Sequence, residues 1–229
     1  MFIKGFQKLT LLDFPGKTAC TVFTGGCNFR CPFCHNALLV TDMDDAQYTE
    51  EEIFEHLEKR KNVLDGVAVT GGEPLLQKDI ERFLYEIKDK GYAVKLDTNG
   101  SFPEKLKDIL SLGLADYVAM DIKNCKERYA ETIGVKNFDL QPVEESIELL
   151  RNSGVDYEFR TTVTQNFHTI DDIEKLAMWI EGTPKYFLQN FVDSGSLIDS
   201  ACKGVSKSEM NEMLEKVKIY IPNAQLRGI

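Results

Sequence analysis

The sequence predicts an α/β protein in which parallel strands curl into a partial (β/α)6, TIM-like barrel. Three observations predict it. Short β-like runs alternate with segments of helical apolar spacing along the whole chain. The polar residues that interrupt those runs gather at their C-terminal ends. The length of 229 residues, 43% hydrophobic and 28% charged, buries a sizeable core and suits one such domain. The same units could also build an open doubly wound sheet, which is the alternative topology.

In chain order the strand-like runs are TACTVFT, GVAVTGG, YAVKLDTNG, DYVAMDIK, YEFRTTVT and YFLQNF. Between them lie helices. Thr49 and Glu52 have capping-box spacing ahead of Ile53, Phe54 and Leu57 on one face. Apolar stripes follow at Ile80, Phe83, Leu84 and Ile87, at Val143, Ile147 and Leu150, and at Ile173, Leu176 and Ile180. Ser206 and Glu209 cap a last helix whose stripe of Met210, Met213, Leu214 and Val217 reads as core. No low-complexity linker divides the chain. The expectation is one core domain over residues 1–229, with a short N-terminal extension at about residues 1–16.

Composition narrows the partners. A net charge of −10, from 37 acidic and 27 basic residues without a long basic run, argues against a binder of nucleic-acid backbone. No stretch reaches the roughly 18 apolar residues of a membrane helix, and MFIKGFQKLT lacks the apolar region of a signal peptide. The expectation is a cytosolic protein whose partners are proteins or small molecules.

That setting governs the six cysteines. Reducing cytosol disfavours a disulfide framework, so three cysteines in one short stretch, TGGCNFRCPFCHN, point to a metal or catalytic site. Cys27, Cys31 and Cys34 follow the spacing Cys-x3-Cys-x2-Cys. A structural zinc site wants four ligands, and His35, adjacent to Cys34, cannot easily turn onto the same ion. A 4Fe-4S cluster held by three thiolates leaves one iron open to a substrate or cofactor. Cys20 reads as a small core residue, and Cys125 and Cys202 lie apart with no assigned role.

Other polar residues occupy equivalent strand ends, where the active sites of parallel α/β folds form. Gly71, Gly72, Glu73 and Pro74 follow GVAVT; Asp97, Thr98 and Asn99 end YAVKL; Asp121 and Lys123 end DYVAM. Arg160 lies within the fifth run, and Gln189 and Asn190 lie near the end of the sixth. Taken singly these are a glycine turn, an Asn-Gly turn and solvated charges. Together they describe one rim.

The run Cys27-Asn28-Phe29-Arg30-Cys31-Pro32-Phe33-Cys34 resembles the cluster motif of the radical S-adenosylmethionine (SAM) superfamily, with Phe33 as the aromatic residue before the third cysteine. The resemblance implies that SAM chelates the open iron and is cleaved reductively to a 5′-deoxyadenosyl radical. Gly71-Gly72-Glu73-Pro74 is similar to the superfamily's GGEP element, which implies backbone carbonyls and Glu73 as acceptors for the cofactor's ammonium.

Asp97-Thr98-Asn99-Gly100 and Asp121-Ile122-Lys123 resemble elements of the glycyl radical enzyme activases, pyruvate formate-lyase activating enzyme in particular. That likeness implies a monovalent cation held by Asp97, Thr98, Asp121 and the Ala119 carbonyl beside the cofactor carboxylate, with Lys123 as its counter-charge. It adds Asn99 to the cofactor-binding set. Over nearly the whole chain, from QKLTLLDFPGKTACTVFTGGCNFRCPFCHN to YEFRTTV, the sequence is similar to anaerobic ribonucleoside-triphosphate reductase activating proteins. Asp13-Phe14-Pro15-Gly16 matches their turn before the first strand. The activases' ribose-contacting histidine falls near Phe191, so Gln189 and Asn190 stand in its place.

The implied partner is a glycyl radical enzyme that is itself the substrate, with a flavodoxin or ferredoxin as electron donor. With only three further cysteines, an auxiliary cluster domain is not expected. Arg160 is read either as binding the partner's loop or the cofactor, or as paired with a carboxylate. His35 and Asn36 are read as tuning the cluster by hydrogen bonding. His56 and His168 are read as solvated. The competing functions are a radical SAM enzyme acting on a small molecule, of carboxy-deazaguanine synthase type, an activase of pyruvate formate-lyase type, and a zinc-stabilised binding module.

Overall fold

The computed structural model describes residues 1–228 apart from Met43, Ser194 and Ser196. Eight strands form one sheet in chain order: β1 (Ile3–Thr10), β2 (Ala19–Thr24), β3 (Gly66–Gly71), β4 (Ala93–Thr98), β5 (Tyr117–Asp121), β6 (Asp156–Val163), β7 (Tyr186–Asn190) and β8 (Gln225–Arg227). β1 pairs antiparallel with β2, and every later pair is parallel. β1 and β8 are the two edges, so the barrel is open along one side.

All six strands read from the sequence are present. Within residues 1–16, Ile3–Thr10 forms an antiparallel edge strand that the sequence did not reveal, its pattern broken by three exposed residues in a row. The short β8 was also missed, because three residues carry no measurable alternation.

The helices are α1 (Ala37–Thr41), α2 (Glu50–Lys59), α3 (Ile80–Asp89), α4 (Pro103–Ser111), α5 (Tyr129–Thr132), α6 (Gln141–Asn152), α7 (Ile170–Trp179) and α8 (Lys207–Lys218). Both capping boxes read from the sequence form. The Thr49 hydroxyl accepts from Glu52 N–H at 3.2 Å while the Glu52 carboxylate accepts from Thr49 N–H at 2.8 Å, and Ser206 with Glu209 repeats the pattern at α8. A third box, Thr169 with Asp172, starts α7. Each fully buried Leu, Ile or Phe on these faces contributes roughly 1.5–3 kcal/mol, and α3 buries Ile80, Phe83, Leu84 and Ile87 completely.

Strand alternation separates two environments. One face, with Val67, Val69, Val94, Leu96, Val118, Met120 and Phe159, packs beneath the helices as the main core. The other faces the barrel interior, where a small apolar cluster of Phe14, Ala19, Tyr117 and Ala119 sits beside charged residues. In register along the interior stand Lys95 and Asp97 of β4, Tyr117 and Asp121 of β5, and Glu158 and Arg160 of β6. Among the described residues no helix is long and apolar enough to cross a membrane.

Candidate active site

The loop after β2 is pinned from several elements. Gly26 N–H donates to Leu39 O at 2.8 Å, Arg30 N–H to Ile133 O at 2.8 Å, and Glu73 N–H to Gly26 O at 2.8 Å. This last contact needs a bare neighbour, since a Cβ on Gly72 would lie 1.9 Å from the Gly26 oxygen. Cys27, Cys31 and Cys34 then line one cavity of about 500 Å³ with Gly71, Gly72, Asp97, Thr98, Asn99, Asp121, Lys123, Arg160 and Gln189. That volume suits a ligand of nucleoside-plus-amino-acid size.

The sulfurs receive donors. Phe29 N–H points at Cys27 Sγ at 3.3 Å, Asn99 Nδ2 approaches the same sulfur at 3.8 Å, and Asn36 N–H donates to Cys34. Burial pushes the Cys27 thiol up to about 11 and Cys31 to about 12, and raises Cys34 as well. Iron-free, the thiols hold their protons at neutral pH, and only a bound metal displaces them. Three soft donors from one loop, gathered at a roomy cavity, fit a 4Fe-4S cluster with one open iron. Among the described residues no three His, Cys, Asp or Glu side chains are placed to close on a single ion.

The Gly-Gly turn is built by conformation. Gly71 has φ +114°, a region that side chains rarely adopt, and its carbonyl accepts from Asn36 Nδ2 at 3.2 Å. Asn36 thus ties the cysteine loop to the next strand end. Glu73 corrects the expectation of a direct cofactor acceptor, because it is fully buried and turned away from the cavity. Its carboxylate accepts from Thr98 Oγ1 at 2.8 Å, Leu75 N–H at 3.0 Å and Asn99 N–H at 2.7 Å. It fastens the ends of β3 and β4 together.

Burial raises the Glu73 carboxyl to about 7, only partly offset by the Asn99, Leu75 and Thr98 donors. A carboxyl raised on folding adds stability below its unfolded value and loses it as pH rises through its folded value. With the ordinary value at 4.5 and the folded one at about 7, the loss between those limits is about 3 kcal/mol. Glu73→Gln should therefore remove a downward slope of stability with pH over that window. Denaturant midpoints of both proteins between pH 5 and pH 8 measure it; parallel slopes would refute the assignment.

Asp97 and Asp121 are bridged by Arg160, whose Nε donates to Asp121 Oδ1 at 3.0 Å and whose Nη1 donates to Asp97 Oδ2 at 3.2 Å. Lys123 Nζ donates to Asp121 Oδ2 at 3.0 Å, Thr70 Oγ1 to Asp97 Oδ2 at 3.1 Å, and Lys95 Nζ to Asp97 Oδ1. Burial raises Asp97 and Asp121; Arg160 then outweighs it, with Lys95 and Lys123 respectively, leaving Asp97 below its ordinary value and Asp121 at about 2. Of the two readings of Arg160, carboxylate pairing is seen.

The expected monovalent cation does not fit these residues. Both carboxylates already hold cations, the Thr98 hydroxyl donates to Glu73, and Ala119 lies inside the ladder opposite Asp97 and Glu158.

His168 is also corrected. It is buried, with Nδ1 accepting from Thr164 N–H at 3.1 Å, which leaves Nε2 to donate to Lys123 O at 2.8 Å, and its ring packs edge-on against Phe33. Burial holds it neutral by lowering its pKa. His56 is half-buried, its Nε2 bonded to Lys8 O at 3.0 Å and its ring on Phe6. His35 lines the cavity and packs edge-on against Phe191. Gln189 faces the cavity, whereas the Asn190 side chain clamps Val205 through both its backbone groups. Cys20, Cys125 and Cys202 are buried free thiols outside the cavity.

Sequence reasoning missed Lys95, Thr70 and Arg227, and read Asp13 only as part of a turn. Lys95 had a signal, since VKLD places it two residues before Asp97 on the same strand face.

A parallel barrel whose C-terminal rim carries three thiols of one loop, a Gly-Gly turn and a carboxylate–cation cluster has soft and hard donors gathered at one cavity. The profile of the radical SAM superfamily matches residues 21–180. A Methanocaldococcus jannaschii protein described as a glycyl-radical enzyme activating enzyme is 33% identical, covering 99% of this chain and 96% of that one. The pyruvate formate-lyase-activating enzyme of Clostridium pasteurianum is 28% identical over 80% of this chain and 84% of its own. In structure, Streptococcus suis SuiB superposes with a TM-score of 0.70 at 16% identity, over 91% of this chain and 48% of SuiB, a likeness of fold alone. The chain belongs to the radical SAM superfamily, in its glycyl-radical enzyme activase branch.

Proposed function

We propose that the chain cleaves SAM reductively at a 4Fe-4S cluster held by Cys27, Cys31 and Cys34, and removes a hydrogen atom from a glycine of a partner glycyl radical enzyme. The observation that carries this reading is the convergence of the three thiols, the Gly71–Gly72 turn and the Asp121–Lys123 strand end on one cavity. The bound cluster supplies the electron, and a flavodoxin or ferredoxin is the donor class. Anaerobic ribonucleotide reductase is the first candidate partner.

The chain's own residues orient the cofactor. Lys123 and Arg160 receive its carboxylate by charge-assisted hydrogen bonds. Backbone carbonyls of the Gly71–Gly72 turn receive its ammonium, and Gln189 serves the ribose. Asn99 and Asn36 hold the sulfurs in place, and Phe33, backed by His168 and Phe167, walls the apolar side. The gap between edge strands β1 and β8 is the route by which a partner's loop reaches the interior. The net charge of −10 favours a protein partner over a nucleic-acid backbone.

The test is anaerobic reconstitution with iron and sulfide, then reduction with SAM and the candidate partner while paramagnetic resonance is recorded. A glycyl doublet with stoichiometric 5′-deoxyadenosine is expected. No 5′-deoxyadenosine would overturn the chemistry. 5′-Deoxyadenosine without the doublet would overturn only the named partner, and turnover of a small molecule without any protein would replace it.

A further inference from the structure

Asp97 is surrounded by cations that belong to the chain. Lys95 is only 3% exposed and sits two residues earlier on β4, so its side chain runs up the interior face and ends on Asp97 Oδ1. Arg160 takes the other oxygen, 3.2 Å away, and reaches Asp121 with Nε. Lys123 completes the group at Asp121. Two carboxylates thus face three fixed positive charges, an excess of one.

Of the neighbouring carboxylates, one is matched by a cation and one is not. Glu158 below is matched by Arg227, which donates from both Nη atoms at 2.7 and 3.0 Å, and by the Tyr117 hydroxyl at 2.7 Å. Asp13, also on the cavity lining, accepts from the Thr21 hydroxyl at 2.6 Å and, among the described residues, is paired with no Lys or Arg, so the excess of one belongs to the Asp97–Asp121 group itself and not to the whole cavity wall. A metal ion added between Asp97 and Asp121 would raise the local excess and compete with existing short ion pairs. A cofactor carboxylate would neutralise it.

We propose that Lys95 is a built-in counter-ion: its ammonium takes the side of Asp97 that a monovalent metal ion would occupy, so this chain receives the SAM carboxylate on Lys123 and Arg160 without any inorganic cation. This rests on the reading of the cavity as the SAM site. Lys95 is a positioning residue, since it acts on the cofactor through Asp97 and Arg160. With its charge neutralised on one side by Lys95, Asp97 holds the guanidinium without repelling the incoming carboxylate. A tethered ammonium also cannot dissociate, so the arrangement is independent of the salt present.

The test compares SAM binding to the reconstituted, oxidised protein by calorimetry in sodium, potassium and tetramethylammonium chloride at equal ionic strength. Wild type should bind SAM with affinities within about twofold across the three salts, since only nonspecific screening remains. Lys95→Met should weaken binding roughly tenfold in tetramethylammonium and recover with sodium or potassium, because a small ion can enter beside the vacated carboxylate oxygen. Circular dichroism checks the variant's fold, and the wild-type comparison decides without it.

Sodium-23 relaxation on the SAM-free protein supplies an independent readout, expected to show no saturable site. The proposal is overturned if wild-type affinity collapses in tetramethylammonium and returns with sodium or potassium, or if saturable sodium broadening is abolished by Asp97→Asn. No SAM binding in any salt would instead overturn the cofactor reading, and the sodium measurement would still decide the role of Lys95.

Discussion

Replacing Cys31 with alanine is expected to abolish cluster assembly and, with it, every trace of 5′-deoxyadenosine formation. Cys31 is the central thiol of its loop and is 8% exposed, with its carbonyl accepting from Cys34 N–H at 3.0 Å. Its backbone role survives the substitution and its thiolate does not. Two remaining thiolates cannot hold three of the four irons, so iron and labile sulfide should both be lost. The fold should persist, because removing one sulfur from a partly filled cavity costs on the order of 1 kcal/mol. Iron and sulfide analysis, the visible absorbance of the cluster and a thermal melt read the three consequences separately. A full complement of iron and sulfide in Cys31→Ala would refute the ligand assignment; a collapsed melt would mean that the loss was structural.

The second large effect lies at Gly71, where alanine should cost about 3 kcal/mol by combining backbone strain with a steric clash. Its φ is +114°, and a Cβ would meet Thr24 N and O at 2.4 Å. Neither atom can move freely: Thr24 O accepts from Gly72 N–H at 2.8 Å, and the strand pair β2–β3 ends there. Relief must displace the strand end that carries the cysteine loop. Gly91→Ala is the control, with φ +89° and nothing within 4 Å, and it should cost only about 1 kcal/mol. Denaturant midpoints of the two variants, together with their iron content, check the difference. Equal midpoints would show that the Gly71 approach to Thr24 is not tight.

Much of the site was legible because its parts are local. The cysteine spacing, the glycine pair and the strand-end aspartates each lie within a few residues, and parallel βα units must bring their C-terminal ends together. The capping boxes were legible for the same reason. Strand β1 was not, since its exposed run Gln7–Leu9 hides the alternation that marks a strand. His168 sits in the polar stretch TQNFHTID, and nothing in that string shows that the loop folds inward to place its ring on Phe33 and its Nε2–H on Lys123 O.

Glu73 shows the limit most clearly. Its motif marks a cofactor site, yet which way a carboxylate turns depends on donors elsewhere, here Thr98 and Asn99 on the following strand end. Lys95 shows it in reverse, as an ordinary strand lysine that becomes a buried partner of Asp97 only because β4 lies between β3 and β5, in the middle of the sheet.

By itself the sequence determined the α/β class, the six central strands and the loop that carries the three cysteines, because periodicity, caps and cysteine spacing act over short separations. Only the tertiary structure decided which side chains share the barrel interior and how its charges pair. Those pairings join β4, β5 and β6 across tens of residues, and Coulomb interactions between buried groups depend on distance in space, not along the chain.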